Sequence, residues 1–480
     1  MNLNLSAAAP EIVLLCALFA VLLADLWTSD ENRYITHYLS IGSMLAAAFT
    51  QIAVWTGQPA QAFNGFYLVD GVSQLAKLTV YLGTAALFVY AKPYNQAQKM
   101  FKGEYYTLAM FAAAGMSVMI SSAHFLTAYI GLELLSLSLY AMIALRRHSV
   151  QASEAALKYF VLGALASGIL LYGISMVYGA AGSLHFAAVA QAAADGHVNG
   201  WLLKLGILFI VAAIAFKFGA VPFHMWMPDV YQGAPTSVAA FVGSMPKIAA
   251  TVFAFRILVE GFALQKGDWQ LVFAALGALS LLVGNLAAIM QTNIKRMFAF
   301  STVSHMGFIL LAFLGSVIGL QAAIYYAVAY ILMSLAGFGV LMVVSREGKE
   351  CENIADLAGL NQRNAWYAFV MLLVLFSMAG IPPLMGFYAK FAVLKALVAA
   401  QYGWALWLAV FAVVMSLIGA FYYLRVVRTM YFDEKTDDAP LSDSVLLKCV
   451  LSVNALLLLV WGILPDSLIE WIRIALEHSF

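Results

Sequence analysis

The sequence predicts an all-α integral membrane protein of about fourteen transmembrane helices, and three observations lead there. Of the 480 residues 64% are hydrophobic and only 10% charged, with a mean hydropathy of +0.89, a balance that soluble domains do not have. The apolar runs are continuous, as from Ile12 to Trp27 and from Leu271 to Met290, unlike the short alternating segments of a membrane β-barrel. Windows of about 20 apolar residues, the length a helix needs to cross a bilayer, take up most of the chain.

In order, the spans are expected at 9–27, 36–56, 68–91, 104–121, 124–145, 154–179, 201–231, 235–262, 269–291, 295–316, 318–345, 366–399, 403–431 and 444–464. The first carries Glu11 and no basic leader, so it reads as a retained span and not as a cleaved signal peptide. With the N-terminus outside, fifteen basic residues, Arg146, Lys295, Arg296 and Arg425 among them, collect at the cytoplasmic side. Only Lys204, Arg256, Lys266 and Arg473 collect opposite. This asymmetry sets the orientation and an even number of spans, with both termini outside. The longest connections, 180–200 and 346–365, are too short for a separate soluble domain, so chemistry belongs inside the membrane or at a docking surface.

Several function classes drop out. A net charge of +1 offers no field for nucleic acid. Cys16, Cys351 and Cys449 form no Cys-x-x-Cys pair, which leaves iron–sulfur, zinc and disulfide frameworks without support. Histidines within the spans are too few for paired haem ligation, and no phosphate-binding glycine motif is present.

The informative residues are charges inside apolar spans. Six lysines, Lys77, Lys158, Lys217, Lys247, Lys390 and Lys395, fall within the predicted spans, whereas Glu133 is the one carboxylate near a span centre. A charge at mid-membrane costs roughly 2.5–3.5 kcal/mol, so packing alone would favour leucine. Structural ion pairs or snorkelling to the surface could account for single cases; several bases with one acid at mid-depth point to function. Lysine can give up its charge when desolvated, whereas arginine cannot. A Glu–Lys pair in hydrocarbon is therefore a switchable proton site. Tyr129, Ser136 and Tyr140 share the helical face of Glu133, and similar polar stripes occur at Ser301, Ser304 and His305 and at Tyr326, Tyr330 and Ser334. Each stripe can hold ordered water or simply join helices by hydrogen bonds.

Two spans should be broken. Pro222 and Pro228 interrupt the run from Lys217 to Asp229, and Gly380, Pro382 and Pro383 interrupt the run to Lys390. Irregular backbone at membrane depth survives only against protein or a watery cavity. His224 lies seven residues from Lys217, nearly on the same face if the helix persists, and its near-neutral pKa suits a proton entry point. Pro246 disturbs the helix beside Lys247 in the same way. Lys395, about 140° around the helix from Lys390 and nearer the end, is assigned to snorkelling. Two broken spans in separated halves, each beside a lysine, suggest an internal repeat of two five-helix units. The resulting domains are 1–103, 104–262, 269–431 and 432–480.

These residues resemble the antiporter-like subunits of bacterial respiratory complex I, the NADH-quinone oxidoreductase. The likeness is carried by GLELLS from Gly131 to Ser136, AALKYF from Ala155 to Phe160, the run from Lys217 to Thr236, Lys247, NIKRM from Asn293 with SHMG from Ser304, and GIP at Gly380 with GFYAKF from Gly386. Among the sister subunits the combination is most similar to the subunit N family. The resemblance implies fourteen helices with two inverted five-helix repeats, and a bacterial inner membrane location among other membrane subunits of the complex. It also implies no cofactor in this chain, with NADH, FMN, iron–sulfur clusters and quinone bound elsewhere. By residue, it implies Glu133 and Lys217 as a coupled pair, Lys158 and His224 as the cytoplasmic approach, Lys247 as the central relay and Lys390 as the terminal lysine. The expected function is proton translocation driven by NADH oxidation and quinone reduction in other subunits. The alternatives are a subunit of a multisubunit Na⁺/H⁺ antiporter, disfavoured by span interiors poor in carboxylates, and a non-conducting structural subunit.

Overall fold

A computed structural model describes residues 3–55, 58–400, 402–435, 441 and 444–479; the outermost domain limits, 1 and 480, lie outside the described residues. The chain is almost entirely helical. The N-terminal helices are α1 (Ala9–Leu26), α2 (Tyr34–Ala53) and α3 (Gly71–Ala97), with a small hairpin, β1 (Ala60–Ala62) against β2 (Tyr67–Val69), between the last two. Then follow α4 (Gly103–Ile120), α5 (Phe125–Ile143), α6 (Val150–Ala181), α7 (Phe186–Ala194), α8 (Gly200–Phe218), α9 (Trp226–Gly233), α10 (Thr236–Val242) and α11 (Met245–Ala254). The second half comprises α12 (Lys266–Ile289), α13 (Ile294–Ala312), α14 (Val317–Val344), the short α15 (Leu360–Arg363), α16 (Ala365–Ala379), α17 (Met385–Ala399), α18 (Ala405–Phe432), α19 (Val445–Ile463) and α20 (Pro465–Glu477). Among the described residues, ten segments are long and apolar enough to cross a membrane.

Short polar residues start these helices because a buried N-terminus leaves four unpaired N–H groups. Asp70 caps α3 in a reciprocal capping box with Ser73, while Ser149, Asn199, Asn293 and Asn364 cap α6, α8, α13 and α16. Both expected breaks form. α8 ends at Gly219 (φ 74°) and α16 at Gly380 (φ 87°), left-handed conformations that favour glycine. A third interruption, at Gly243 and Ser244, separates α10 from α11, so the Pro246 region is a break of its own. Two segments read as loop or tail are helices. α7 forms inside 180–200, and α20 buries Leu468, Ile472, Ala475 and Leu476, one helical face, against α3 and α14.

The α10–α11 segment and α14 are buried almost throughout and form the centre of the bundle, whereas α1, α18 and α19 turn most of their surface outward. The outer faces carry Phe19, Trp407, Leu417 and Val453, all exposed and apolar, as lipid contact requires. Close approach of α4 to α5 sets the position of Glu133. A Cβ on Gly115 would lie 2.6 Å from the Leu135 nitrogen, and one on Gly131 2.6 Å from the Met119 nitrogen. Small residues bring membrane helices into such contact because packing, not water exclusion, drives their association.

Candidate functional site

Glu133 and Lys217 are brought to one face of α5 but do not form the direct ion pair expected of them. The Glu133 carboxylate accepts a hydrogen bond from Ser167 on α6. Lys217, in the last turn of α8, donates to the Ser136 hydroxyl at 2.6 Å, one turn along α5 from Glu133. Ser136 in turn donates to the Leu132 carbonyl. Ser136, from the polar stripe of the sequence, thus holds Lys217 one turn from Glu133.

The break after α8 frees carbonyls at the negative end of a helix dipole. The Trp226 indole N–H takes that of Phe216 at 3.1 Å. Lys247 donates to those of Phe218 and Lys217 at 3.2 and 3.4 Å, with its ammonium 5.3 Å from the Trp226 ring centre. Lys217 and Lys247 line one cavity of about 20 Å³, room for a single water.

The second break repeats the arrangement. Lys390, on α17, donates at 2.8 Å to the Ala379 carbonyl freed at the end of α16 and at 2.8 Å to Ser416 on α18. Each broken helix therefore ends on carbonyls that accept from a lysine, Lys390 also donating to a hydroxyl, and neither Lys247 nor Lys390 has a carboxylate within 4 Å among the described residues. A lysine so held can lose its proton without stranding a buried anion.

Between the breaks the other two stripes converge. His305 contacts the Tyr326 hydroxyl at 2.8 Å and that of Tyr423 at 3.0 Å, and Tyr423 meets Ser301 at 2.5 Å. Thr302 meets Tyr330 at 2.6 Å, and Ser334 donates to the Gly243 carbonyl at the break before Lys247. Phe308, one turn beyond His305, lies under the Lys390 ammonium at 5.5 Å. Two hydroxyl clusters, one reaching the Gly243 carbonyl at the break before Lys247 and one centred on the His305 imidazole, thus lie between the first break and the second.

Of the two approach residues, His224 sits differently from expectation. His224 does not share a helix face with Lys217, because the helix ends at Phe218; it lies half-buried in the break, its Nδ1 without a partner. Lys158 lies at the protein surface. It is 44% exposed and paired with Glu154 and Asp229 at 2.8 Å each, on a cleft of about 160 Å³ that Gln151 and Gln232 also line. Lys395 is exposed, as assigned. Exposed pairs are worth about 0–1 kcal/mol, so Lys158→Ala and Lys395→Ala are expected to leave the melting temperature of the assembled protein within ~2 °C of native in a thermal shift measurement.

The sequence reading also missed buried acids. Glu11 pairs with Lys77 at 3.1 Å, and Asp70 with Arg256, at 2.5 Å, where both side chains are wholly buried. Arg256, counted at the outer flank of its span, is thus a buried, ion-paired arginine. Glu350, in the 346–365 connection, accepts from Arg146 at 2.9 Å, Lys295 at 3.4 Å, and the Thr236 hydroxyl at 2.6 Å, with Tyr94 also bound. Burial pushes its carboxyl up, but the Lys295 and Arg146 cations and these hydrogen bonds outweigh it, lowering the pKa to about 2.

Comparison with known proteins shows the family. The family described as NADH:quinone oxidoreductase/Mrp antiporter, TM, matches residues 122–416. NADH-quinone oxidoreductase subunit N of Neisseria gonorrhoeae is 64% identical over 479 residues, covering 100% of this chain and 99% of the relative. That of Laribacter hongkongensis is 56% identical over 97% of this chain and 96% of the relative. Among solved structures, a chain of respiratory complex I from Thermus thermophilus superposes with a TM-score of 0.82 at 31% identity, covering 96% of this chain and 98% of that one. A chain of the Mrp complex from a Dietzia species shares the fold, with a TM-score of 0.85 at 21% identity over 98% and 97% of the two chains. The chain belongs to the subunit N family of the NADH-quinone oxidoreductases, the antiporter-like membrane subunits of respiratory complex I.

Proposed function

We propose that this chain moves protons from the cytoplasm outward across the bacterial inner membrane, driven by NADH oxidation and quinone reduction in partner subunits, and performs no bond chemistry itself. Protons enter from the cleft at Lys158 and the break at His224, reach Glu133 and Lys217, pass to Lys247, cross through Thr302 and His305, and leave by Lys390. His305 joins the relay on its geometry, as the imidazole between the two breaks. The reading includes fourteen crossings, both chain ends on the periplasmic side, and inverted repeats at 104–262 and 269–431 flanked by 1–103 and 432–480. NADH, FMN, iron–sulfur clusters and quinone belong to the other subunits. Sister antiporter-like subunits are the expected neighbours.

The observation that carries the proposal is the pair of lysines on freed helix-end carbonyls with no carboxylate beside them among the described residues. A structural ion pair would place a carboxylate there, and a sodium site would place several oxygens without a competing ammonium. The test is Glu133→Gln in membranes, with quinone-dependent NADH oxidation and proton uptake measured per complex and assembly checked by native gel. Both activities are expected to fall together, several-fold, in an assembled complex. Wild-type values for both would make the carboxylate structural and sink the relay as drawn.

A further inference from the structure

Two arginines occupy matching places in the two five-helix units. Arg256 lies nine residues beyond Lys247, on the last helix of the first unit; Arg425 lies nine residues beyond Ser416, the Lys390 partner, on the last helix of the second. Nine residues are about 13 Å of helix rise, which carries each guanidinium from the middle of its half to one mouth. Their contacts match as well. Arg256 Nε donates at 3.4 Å to the carbonyl of Ile120, the last residue of α4 and hence of the first helix in that unit. Arg425 donates at 2.9 Å to the carbonyl of Ile289, the last residue of α12, and at 2.5 Å to that of Gln291. Because α4 and α12 run in opposite directions, the two contacts lie at opposite ends of the bundle. In the orientation proposed above, Arg256 closes the outer mouth of the first unit and Arg425 the inner mouth of the second.

Resting on the proton-relay reading, we infer that Arg256 and Arg425 are paired clamps that close the first half-channel outward and the second inward, so that a proton must cross laterally between the halves. The chemistry suits a seal. A guanidinium stays charged in any protein environment and cannot hand on a proton, so a proton path that meets one is broken. At the first mouth Asp70 and Glu260 hold Arg256, which is wholly buried. The segment Phe255–Gly261 leaves the α-helical repeat for a π-helical turn there, a departure that recurs at functional positions. Other titratable groups on neighbouring elements are engaged elsewhere: the His124 and His185 rings meet edge to face, and Asp268 meets Lys204. Asp70 and Glu260, the carboxylates that face Arg256, are both bound to its guanidinium. The exposed Lys395 is the cation the second unit presents on α17 beyond Lys390, so that outlet has no matching clamp on this helix.

The test uses purified whole complex in vesicles, without NADH, and reads passive proton conductance under a potassium diffusion potential. Arg256→Gln and Arg425→Gln are each expected to raise conductance several-fold. Arg256→Lys and Arg425→Lys keep a cation for assembly but make it titratable, and are expected to leak by a smaller factor. The leaks should also be separately suppressible: Lys247→Met silences the Arg256 leak and leaves that of Arg425, while Lys390→Met does the reverse. A merely structural role would not produce that crossed pattern. Assembled variants with native conductance, or leaks indifferent to both lysines, overturn the clamp. Normal pumping by Glu133→Gln in the same vesicles would instead overturn the relay itself.

Discussion

Replacing Lys247 by methionine is expected to lower proton translocation per assembled complex at least tenfold while changing the stability of the complex little. Two opposing terms set the stability. Removing a buried ammonium relieves roughly 2.5–3.5 kcal/mol of desolvation on insertion scales. Leaving the Phe218 and Lys217 carbonyls without their donor costs about 1–3 kcal/mol, since these are the only hydrogen bonds Lys247 Nζ makes among the described residues. The terms nearly cancel, and methionine keeps the volume. The measurement pairs proton uptake with the temperature at which the subunit leaves the complex on a native gel. A structural lysine would behave oppositely, with pumping per assembled complex intact and assembly damaged.

The same logic separates Lys247 from the charges around it. Glu11 and Lys77, or Asp70 and Arg256, are held in mutual ion pairs, and deleting either member strands the other in a low-dielectric interior. Lys247 and Lys390 have only neutral partners. Proton loss at these lysines disturbs hydrogen bonds and leaves no orphaned charge, as a residue that must release a proton in every cycle requires.

Local chemistry made some of this legible in the sequence. Gly219 and Gly380, with the prolines after them, announce broken helices because backbone restrictions act within a few residues. The i, i+3 spacing of Glu133 and Ser136 fixes a shared face whatever else packs there. Depth and partnership are tertiary. Asp70 meets Arg256 from 186 residues away in the chain, and the edge of an apolar run does not reveal that a guanidinium there is held by two other segments. For the same reason Lys158, inside an apolar run, turned out to face a polar cleft. Glu350 sits in a connection whose composition reads as solvent-exposed, and only the fold shows that Tyr94, Arg146, Thr236 and Lys295 surround it.

Glu350→Gln is the substitution expected to destabilise the protein most. It would leave Arg146 and Lys295 facing a neutral amide in a site where Glu350 is 7% exposed. Breaking a buried pair by removing one partner costs about 3–5 kcal/mol, and here one carboxylate serves two cations and the start of α10. Lys295 also holds the Ala234 carbonyl at 3.0 Å, so its displacement loosens the end of α9 and the junction between the two halves. The pH dependence follows in sign. The carboxyl is held at about 2 in the folded chain against an ordinary 4.5, so its contribution is fully present above about pH 4.5 and fades as pH falls toward 2. Thermal dissociation of the native complex should therefore be insensitive to this group between pH 6 and 8 and weaken below about pH 4, while the glutamine variant starts lower and lacks that acid limb. Equal stability of the two proteins at pH 7 would show that neither cation depends on the carboxylate.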